Sequence, residues 1–237
     1  MKQLILSAAA LALTSGFALA DTVRMGTEGA YPPYNFIDDN GQVAGFERIV
    51  GDELCKRAEL TCEWVTNEWD SIIPNLVSGN YDTIIAAMSI NDERRQSIDF
   101  TTPYFPPAAS AYLAMGADVA DGAVIAAQTG TIQADHVAQS GGTLVEFATI
   151  DDAVAAAKNG EADAVFGDKE VLRPFADGQG LVWAGEEVFL DEGIGIGVRK
   201  SDTELKEKLN AAIDSMKADG SLNALLTEYF GAEATTF

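Results

Sequence analysis

In the first third of the chain, stretches with the two-residue hydrophobic period of a strand alternate with stretches that have the 3.6-residue period of a helix. Residues 22–27 alternate one by one, and the apolar positions of residues 46–58 recur at helical spacing. Three strands and two helices are predicted in turn, at 22–27, 46–58, 63–65, 72–76 and from 83, the last strand opening at Ser89. An alternation of this kind is typical of a parallel sheet covered by helices.

A proline-rich break at 101–107 is followed by a second set of strands and helices. These are predicted at 123–127, from 132, at 150–159, at 162–166 and at 181–183. The alternation of glycine and apolar residues at 193–198 then predicts a return to the first set, followed by helices at 203–218 and 221–230. The pattern therefore predicts an α/β protein of two lobes, with the chain crossing between them twice.

The first twenty residues have the pattern of a secretory signal peptide. A basic start at Lys2 precedes the apolar run 4–13, and Ala18-Leu19-Ala20 forms a small-residue cleavage site. The alternative, a membrane anchor, needs about 18 uncharged apolar residues, and this run is too short. We expect cleavage after Ala20 and a periplasmic protein.

The chain carries a net charge of -22, which becomes -23 when Lys2 leaves with the leader. A surface this acidic repels nucleic acid, so we expect no nucleic-acid partner. Cys55 and Cys62 are close in an exported chain, which favours a local disulfide. With one histidine the chain is poor in soft metal ligands, and we expect neither a metal nor another cofactor.

Polar and charged residues follow the predicted strands at their carboxyl ends, where open α/β sheets bind ligands. Glu28 and Tyr31 follow the first strand, the turn at 128–131 follows a strand of the second lobe, and Asp168 follows another. Ser89 and Arg94 together offer a hydroxyl, a backbone N–H and a guanidinium, a set suited to a carboxylate. The alternative for this stretch is an exposed charged turn.

Eight motifs and Asp168 resemble one family along essentially all of the exported chain. The motifs are GTEGAYPPY (26–34), GFE (45–47), WDSIIP (69–74), YDTII (81–85), MSINDER (88–94), QTGT (128–131), GEADA (160–164) and GIGVRK (195–200). The chain resembles the extracytoplasmic solute-binding proteins of polar amino acid ABC importers, near the lysine/arginine/ornithine and histidine binders. That resemblance implies the type II bilobed periplasmic-binding-protein fold, with a two-strand hinge and a ligand cleft between the lobes.

The implied domain boundaries divide the exported chain into two lobes and two hinge segments. Lobe 1 is expected to comprise 21–105 and 193–237, lobe 2 to comprise 109–188, and the hinge to comprise 105–109 and 188–193. Cys55 and Cys62 fall where the cationic amino acid binders carry a disulfide.

The resemblance also assigns roles at the α-carbon end of an amino acid ligand. Arg94 would bind the α-carboxylate together with the N–H groups of Ser89 and Thr131. Asp168, the Ser89 hydroxyl and the Ala87 carbonyl would accept from the α-ammonium. Each charged end of the zwitterion would then meet an opposite, hydrogen-bonded partner.

At the other end, Tyr31 and Trp69 would enclose the ligand side chain, and an aromatic face attracts a cation. Glu28 would meet a basic group, and Glu47 would add negative potential. The alternatives are a core role for Trp69 and a solvated loop position for Glu28. The full predicted ligand set is Glu28, Tyr31, Trp69, Ala87, Met88, Ser89, Arg94, Gly130, Thr131 and Asp168.

Three departures from the lysine/arginine/ornithine binders affect the expected ligand. Ala86 and Ala87 stand where those proteins have serines, and Glu28 stands where they have aspartate. This combination with Trp69 is similar to the opine binders. The segment between Met115 and Val124 is also short, which we expect to leave the cleft more open.

The function that these features imply is capture of a polar, cationic L-amino acid of the arginine, lysine or ornithine type by hinge closure. The partner would be an inner-membrane ABC permease, and the protein would act as a monomer. Alternatives within the same role are an opine, a neutral polar amino acid or cystine. A dehydratase-type enzyme on the same fold is the alternative of another class, and we expect no enzymatic activity because no nucleophile–base pair is evident.

Overall fold

The computed structural model describes residues 22–176 and 180–237, so the predicted leader lies outside the described residues. Residues 22–100 contain β1 (Thr22–Thr27), β2 (Ala30–Tyr31), β3 (Asn35–Ile37), β4 (Val43–Ala44), α1 (Phe46–Arg57), β5 (Thr61–Thr66), a 3-10 turn (Trp69–Ser71), α2 (Ile72–Val77), β6 (Thr83–Ile84), α3 (Asp92–Arg95) and β7 (Asp99–Phe100). The next part of the chain contains β8 (Ala109–Ala114), β9 (Val124–Gln128), α4 (Ile132–Ser140), β10 (Thr143–Phe147), α5 (Ile150–Asn159), β11 (Ala164–Asp168), α6 (Lys169–Ala176) and β12 (Val182–Phe189). The chain ends with β13 (Gly197–Val198), α7 (Thr203–Ala218) and α8 (Ser221–Phe230).

The first sheet has the strand order β5-β1-β6-β13-β7. β1 pairs in parallel with β5 and with β6, which confirms the predicted β-α-β-α-β unit. β13 pairs antiparallel with β6 and with β7, so the returning chain completes the first sheet. One boundary was wrong: β6 ends at Ile84 rather than at Ser89. Beyond it Ala87 takes a positive φ of 49°, which a continuous strand does not allow.

The second sheet has the order β10-β9-β11-β8-β12. β9 pairs in parallel with β10 and with β11, and β8 pairs antiparallel with β11 and with β12. Local signals explain its helices well. Thr149 caps α5 by accepting from the backbone N–H of Asp152, and Gly160 ends the helix in the left-handed conformation. The α/β prediction with two sheet-containing lobes is therefore confirmed.

The predicted local disulfide is present. It joins Cys55 of α1 to Cys62 of β5 across the turn between them. A further small antiparallel sheet, β2-β3-β4, lies beside α1. It shapes the loop that follows β1.

The chain passes between the two sheets after β7 and again after β12. The two crossings touch, because Phe105 and Ile194 form an antiparallel bridge. Phe105 also packs against Tyr34, Phe46 and Phe230 in a buried aromatic cluster. This packing holds one end of the lobe junction, while the predicted boundary residues themselves remain predictions.

Within residues 22–176 and 180–237, no helix combines the length and the apolar character needed to cross a membrane.

Candidate functional site

A pocket of about 290 Å³ lies between the lobes, at the carboxyl ends of strands from both sheets. Its walls come from the loop after β1, the segment after β6, the end of β9, the start of α4 and the end of β11. The residues that line it are Glu28, Tyr31, Trp69, Ala86, Ala87, Ser89, Arg94, Gln128, Thr131, Ile132, Gln133 and Asp168.

Arg94 contributes a buried guanidinium to this pocket. Asn91 caps α3 by accepting from the Arg94 backbone N–H at 2.8 Å, which fixes the start of the short helix. The guanidinium donates to the carbonyl of Ser89 at 2.8 Å and to that of Gly130 at 3.2 Å. Burial lowers the pKa of Arg94 to about 10. Among the described residues, no carboxylate lies within ion-pair distance of this cation.

Asp168, the last residue of β11, places a buried carboxylate in the same pocket. Oδ2 accepts from the Tyr31 hydroxyl at 2.8 Å, and Oδ1 accepts from Gln133 Nε2 at 2.9 Å. Burial nevertheless raises the pKa of Asp168 to about 7, and the nearby charge of Asp191 acts in the same direction. The ion pairs found in the described residues do not include Asp168. It can therefore accept from a cation that enters the pocket.

The amino end of α4 faces the pocket with Thr131, Ile132 and Gln133. Thr131 caps the helix: its Oγ1 accepts from the backbone N–H of Ala134 and donates to the carbonyl of Gln128 at 2.7 Å. A helix amino terminus favours negative charge through its dipole and its free N–H groups. This end of the pocket, with Arg94, is thus suited to an anionic group.

Trp69 forms a wall that belongs to lobe 1 but contacts the opposite lobe. Its indole N–H donates to the Gly130 carbonyl at 3.3 Å. The Arg94 guanidinium lies over the Trp69 ring at 5.3 Å from its centroid, a cation–π distance. Gly130 needs its positive φ of 65° to present this carbonyl to both donors.

Glu28 and Gln128 meet across the lobes at another part of the pocket. Gln128 Nε2 donates to Glu28 Oε1 at 2.7 Å and to the carbonyl of Ala148 at 3.1 Å. Burial raises the pKa of Glu28 to about 7, against the effect of that hydrogen bond. A cationic group placed here would stabilise the ionised form of Glu28.

Glu47 lies behind the pocket wall rather than in it, and from there its negative charge helps to raise the pKa of Glu28, in agreement with the expected negative potential. Its carboxylate accepts from Asn35 Nδ2 at 2.7 Å, from the backbone N–H of Ala87 at 2.6 Å and from the Tyr104 hydroxyl. Asn35 in turn accepts from the Gly29 N–H at 2.7 Å. Glu47 thus links the loop after β1 to the left-handed turn at Ala87 and shapes the pocket from outside.

Eight of the ten residues predicted to bind ligand line the pocket. Met88 and Gly130 instead line an adjacent cavity that Trp69 and Arg94 also border. Met88 is fully buried because its side chain points into the core of lobe 1, next to Trp69.

The predicted ligand set did not include four residues of the lining, Ala86, Gln128, Ile132 and Gln133. Two signals were available for the glutamines: Gln128 is the last residue of β9, and Gln133 lies in the first turn of α4.

The short segment after Met115 does not border this pocket. Residues 118–123 line a separate surface depression with Tyr112 and Ser140. The expectation that its shortness leaves the cleft more open stays a prediction.

Chemically, the pocket holds a buried cation and a buried anion that do not pair with each other. Buried charges need partners, so a molecule with both a carboxylate and an ammonium group would satisfy both. The described residues contain no cluster of three His, Cys, Asp or Glu side chains that could hold a metal ion.

Comparison with known proteins agrees with this pocket chemistry, and the matches extend over nearly the whole chain. The family described as bacterial extracellular solute-binding proteins, family 3, matches residues 23–232. The L-arginine-binding protein of Pseudomonas aeruginosa is 33% identical over 251 aligned positions, which cover 97% of each chain.

Solved structures agree with this match. A periplasmic His/Glu/Gln/Arg/opine family-binding protein from Silicibacter pomeroyi, in complex with lysine, is 60% identical with a TM-score of 0.89, covering 91% of this chain and 100% of that one. An ancestral amino acid-binding protein, a precursor of cyclohexadienyl dehydratase, is 29% identical with a TM-score of 0.77, covering 88% and 95%.

Proposed function

Because the chain belongs to the bacterial extracellular solute-binding proteins of family 3, we propose that it captures a cationic L-amino acid for an ABC importer. The observation that carries this proposal is the presence of two buried charges of opposite sign, Arg94 and Asp168, in one pocket between the lobes, neither of them in an ion pair within the described residues. Three relatives are named for binding arginine, lysine/arginine/ornithine and histidine, and the Silicibacter pomeroyi structure holds lysine.

The α-carboxylate of the ligand would bind to Arg94 at the amino end of α4. The guanidinium there is held by carbonyl acceptors rather than by a protein carboxylate, so it keeps its charge available. The α-ammonium would bind to Asp168, whose ionised form it would favour. In this orientation, both buried charged groups near the ligand backbone, Arg94 and Asp168, bind a group of opposite charge.

The ligand side chain would lie between Tyr31 and Trp69 and end near Glu28 and Gln128. Two aromatic faces suit an aliphatic stem or a planar guanidinium, and Glu28 suits its positive charge. A neutral side chain would leave the charge of Glu28 without a partner. Arginine, lysine and ornithine therefore fit this pocket best.

Capture would proceed by closure of the two lobes. Tyr31, Trp69 and Arg94 of lobe 1 already reach acceptors of lobe 2, so residues of both lobes surround the same small volume. A ligand held by both lobes contacts the closed form more than the open one, and this difference drives closure. The closed monomer would then deliver the ligand to a membrane permease from the extracytoplasmic side.

Three alternatives are less well supported. A neutral polar amino acid would keep the contacts of Arg94 and Asp168 but not that of Glu28. An arginine-derived opine would keep all three contacts but would have to fit its additional group on the α-nitrogen beside Asp168. A dehydratase-type enzyme has one related solved structure in its favour, that of the binding-protein precursor. The pocket offers it no histidine or cysteine, and Asp168 already accepts two hydrogen bonds.

The proposal is tested by thermal shift of the exported chain against arginine, lysine, ornithine, histidine, glutamine, citrulline, cystine and a set of opines. A ligand at 100 times its Kd stabilises the protein by about 2.7 kcal/mol, which such a screen detects. R94A should abolish the shift, whereas R95A, in the same helix but exposed and paired with Glu192, should keep it. A shift with neutral amino acids or opines alone would overturn the specificity, and no shift at all would overturn the carrier role.

A further inference from the structure

Asp191 lies next to the pocket, on the crossing where the chain returns from lobe 2 to lobe 1. Its Oδ2 accepts from the Ser89 hydroxyl at 2.8 Å, and its Oδ1 accepts from the backbone N–H of Gly193 at 3.1 Å. The side chain does not line the pocket, and it was not among the predicted ligand residues. Its hydrogen bond with Ser89, which is buried and does line the pocket, links it to the site.

The direction of this hydrogen bond determines what Ser89 can offer to a ligand. An ionised carboxylate is only an acceptor, so the single proton of the Ser89 hydroxyl must point toward Asp191. The Ser89 oxygen then faces other groups with its lone pairs alone. An α-ammonium group is only a donor, as a lysine ammonium is, and it matches an oxygen held in this state.

Burial raises the pKa of Asp191, whereas the hydrogen bonds from Ser89 and from the backbone N–H groups of Gly193 and Ala108 favour its ionised form. Asp191 lies near the Arg94 guanidinium, which offsets part of its charge, and near Asp168, which adds to it. The same two acids therefore flank the end of the pocket where an ammonium is expected. Glu192, the next residue, points away and pairs with Arg95 on the surface.

We propose that Asp191 is a positioning residue that fixes the Ser89 hydroxyl as an acceptor for the ligand's free α-ammonium group. This inference rests on the proposed function, since it specifies how one end of the same pocket recognises an amino acid. It assigns to the return crossing a part in ligand selection as well as in hinge geometry.

The D191N variant reverses the polarity of the Ser89 contact. An asparagine whose oxygen still accepts from Gly193 turns its amide NH₂ toward Ser89, and the serine hydroxyl must then accept from it. The serine proton is released toward the pocket, where it opposes the ligand ammonium. We expect D191N to weaken L-arginine binding by about tenfold or more, the usual effect of losing a hydrogen bond to a charged group.

A double-mutant cycle distinguishes positioning from a general structural effect. L-arginine affinity is measured by titration calorimetry for the wild type, S89A, D191N and S89A/D191N, with E192Q as the matched control. D191N should cost at least tenfold alone but less than about threefold when S89A is already present. E192Q should bind like the wild type. Melting temperatures without ligand check folding, and D191S replaces D191N in the cycle if the latter does not fold.

Three results would count against the proposal in different ways. An equal loss from D191N with and without S89A would show that Asp191 acts independently of Ser89. Unchanged affinity in D191N would remove it from the site altogether. If the wild type does not bind L-arginine, the proposed function fails and this inference fails with it, whereas the first two results leave the proposed function intact.

Discussion

The Tyr31 hydroxyl lies 2.8 Å from Asp168 Oδ2 and donates a hydrogen bond to it across the lobes. Tyr31 follows β1 in lobe 1 and Asp168 ends β11 in lobe 2. Both side chains are buried, and the pKa of Tyr31 is raised well above its ordinary value by burial and by the charge of Asp168. Tyr31 therefore remains a donor at any working pH. One hydrogen bond thus joins the two lobes and orients the carboxylate that we propose binds the ligand ammonium.

Y31F should weaken L-arginine binding by roughly tenfold, because a hydrogen bond to a buried charged group typically contributes about 1.5–3 kcal/mol. The aromatic face against the ligand side chain is kept, so the effect isolates the hydroxyl. Titration calorimetry at pH 7 measures the loss. Y229F, which removes a hydroxyl from α8 outside the pocket, should bind normally. Equal affinity in Y31F and the wild type would show that the contact does not contribute to capture.

E28Q should discriminate between ligand classes. The substitution keeps the shape of the side chain but removes the charge that would face a basic group. We expect L-arginine affinity to fall by about tenfold or more, and L-glutamine affinity, if measurable, to change little. E161Q removes one charge from an exposed position of lobe 2 and serves as the control. An equal loss for both ligands in E28Q would place Glu28 away from the ligand side chain.

Binding of L-arginine should strengthen as the pH rises from about 5.5 to about 8.5. The pKa values of Glu28 and Asp168 are raised to about 7, so both groups are largely protonated at the lower pH. The cationic ligand needs their ionised forms and should release protons when it binds near pH 7. Calorimetry in two buffers with different ionisation enthalpies counts these protons. Binding without proton release, and with the same Kd at both pH values, would contradict the assignment.

In the absence of ligand, ionisation of Glu28 and Asp168 lowers the free energy of unfolding as the pH rises, whereas it strengthens ligand binding. Their pKa values in the folded protein lie above the ordinary values of about 4 for unfolded chains. The folded state therefore binds more protons, and the contribution of these groups to stability is full below pH 4 and is lost as the pH rises through 7. The wild type should therefore lose unfolding free energy relative to E28Q between pH 4 and pH 8, as followed by urea unfolding, because the glutamine of E28Q does not titrate. A difference that does not vary with pH would argue against the raised pKa of Glu28.

Reduction of the Cys55–Cys62 disulfide should lower the free energy of unfolding by about 2–3 kcal/mol, as expected for a short closed loop. The bridge joins α1 to β5 and does not line the pocket. L-arginine affinity should therefore stay the same in the reduced protein. Urea unfolding with and without dithiothreitol measures the first effect and calorimetry the second. Two freely reactive thiols in the exported protein would contradict the bridge.

Local sequence signals were sufficient for most of the fold. α5, α7 and α8 have the predicted bounds because caps and glycines mark their ends. The third strand was predicted too long because Ala87 takes a left-handed conformation that its sequence does not indicate. That conformation depends on Glu47, forty residues earlier in the chain, whose carboxylate accepts from the Ala87 N–H. A contact of this range is set by the tertiary fold, which local pattern does not reveal.

The site could be predicted only one lobe at a time. Strand ends located Glu28, Ser89 and Asp168, since ligand-binding residues collect there. The contacts of Gln128 with Glu28 and of Gln133 with Asp168 depend on how helices and lobes meet. The same limit applies to Asp191, which reaches Ser89 from the opposite end of the chain.

The hydrogen bond from Trp69 to Gly130 gives this protein an optical signal of its own. Trp69 is buried at the lobe interface, and opening of the cleft would expose its indole ring to water and move its fluorescence to longer wavelength. The other two tryptophans lie outside the pocket: Trp64 donates to Asp52 on lobe 1, and Trp183 belongs to β12. Intrinsic fluorescence therefore follows the capture of a ligand in the unlabelled protein, in real time and without any added reporter.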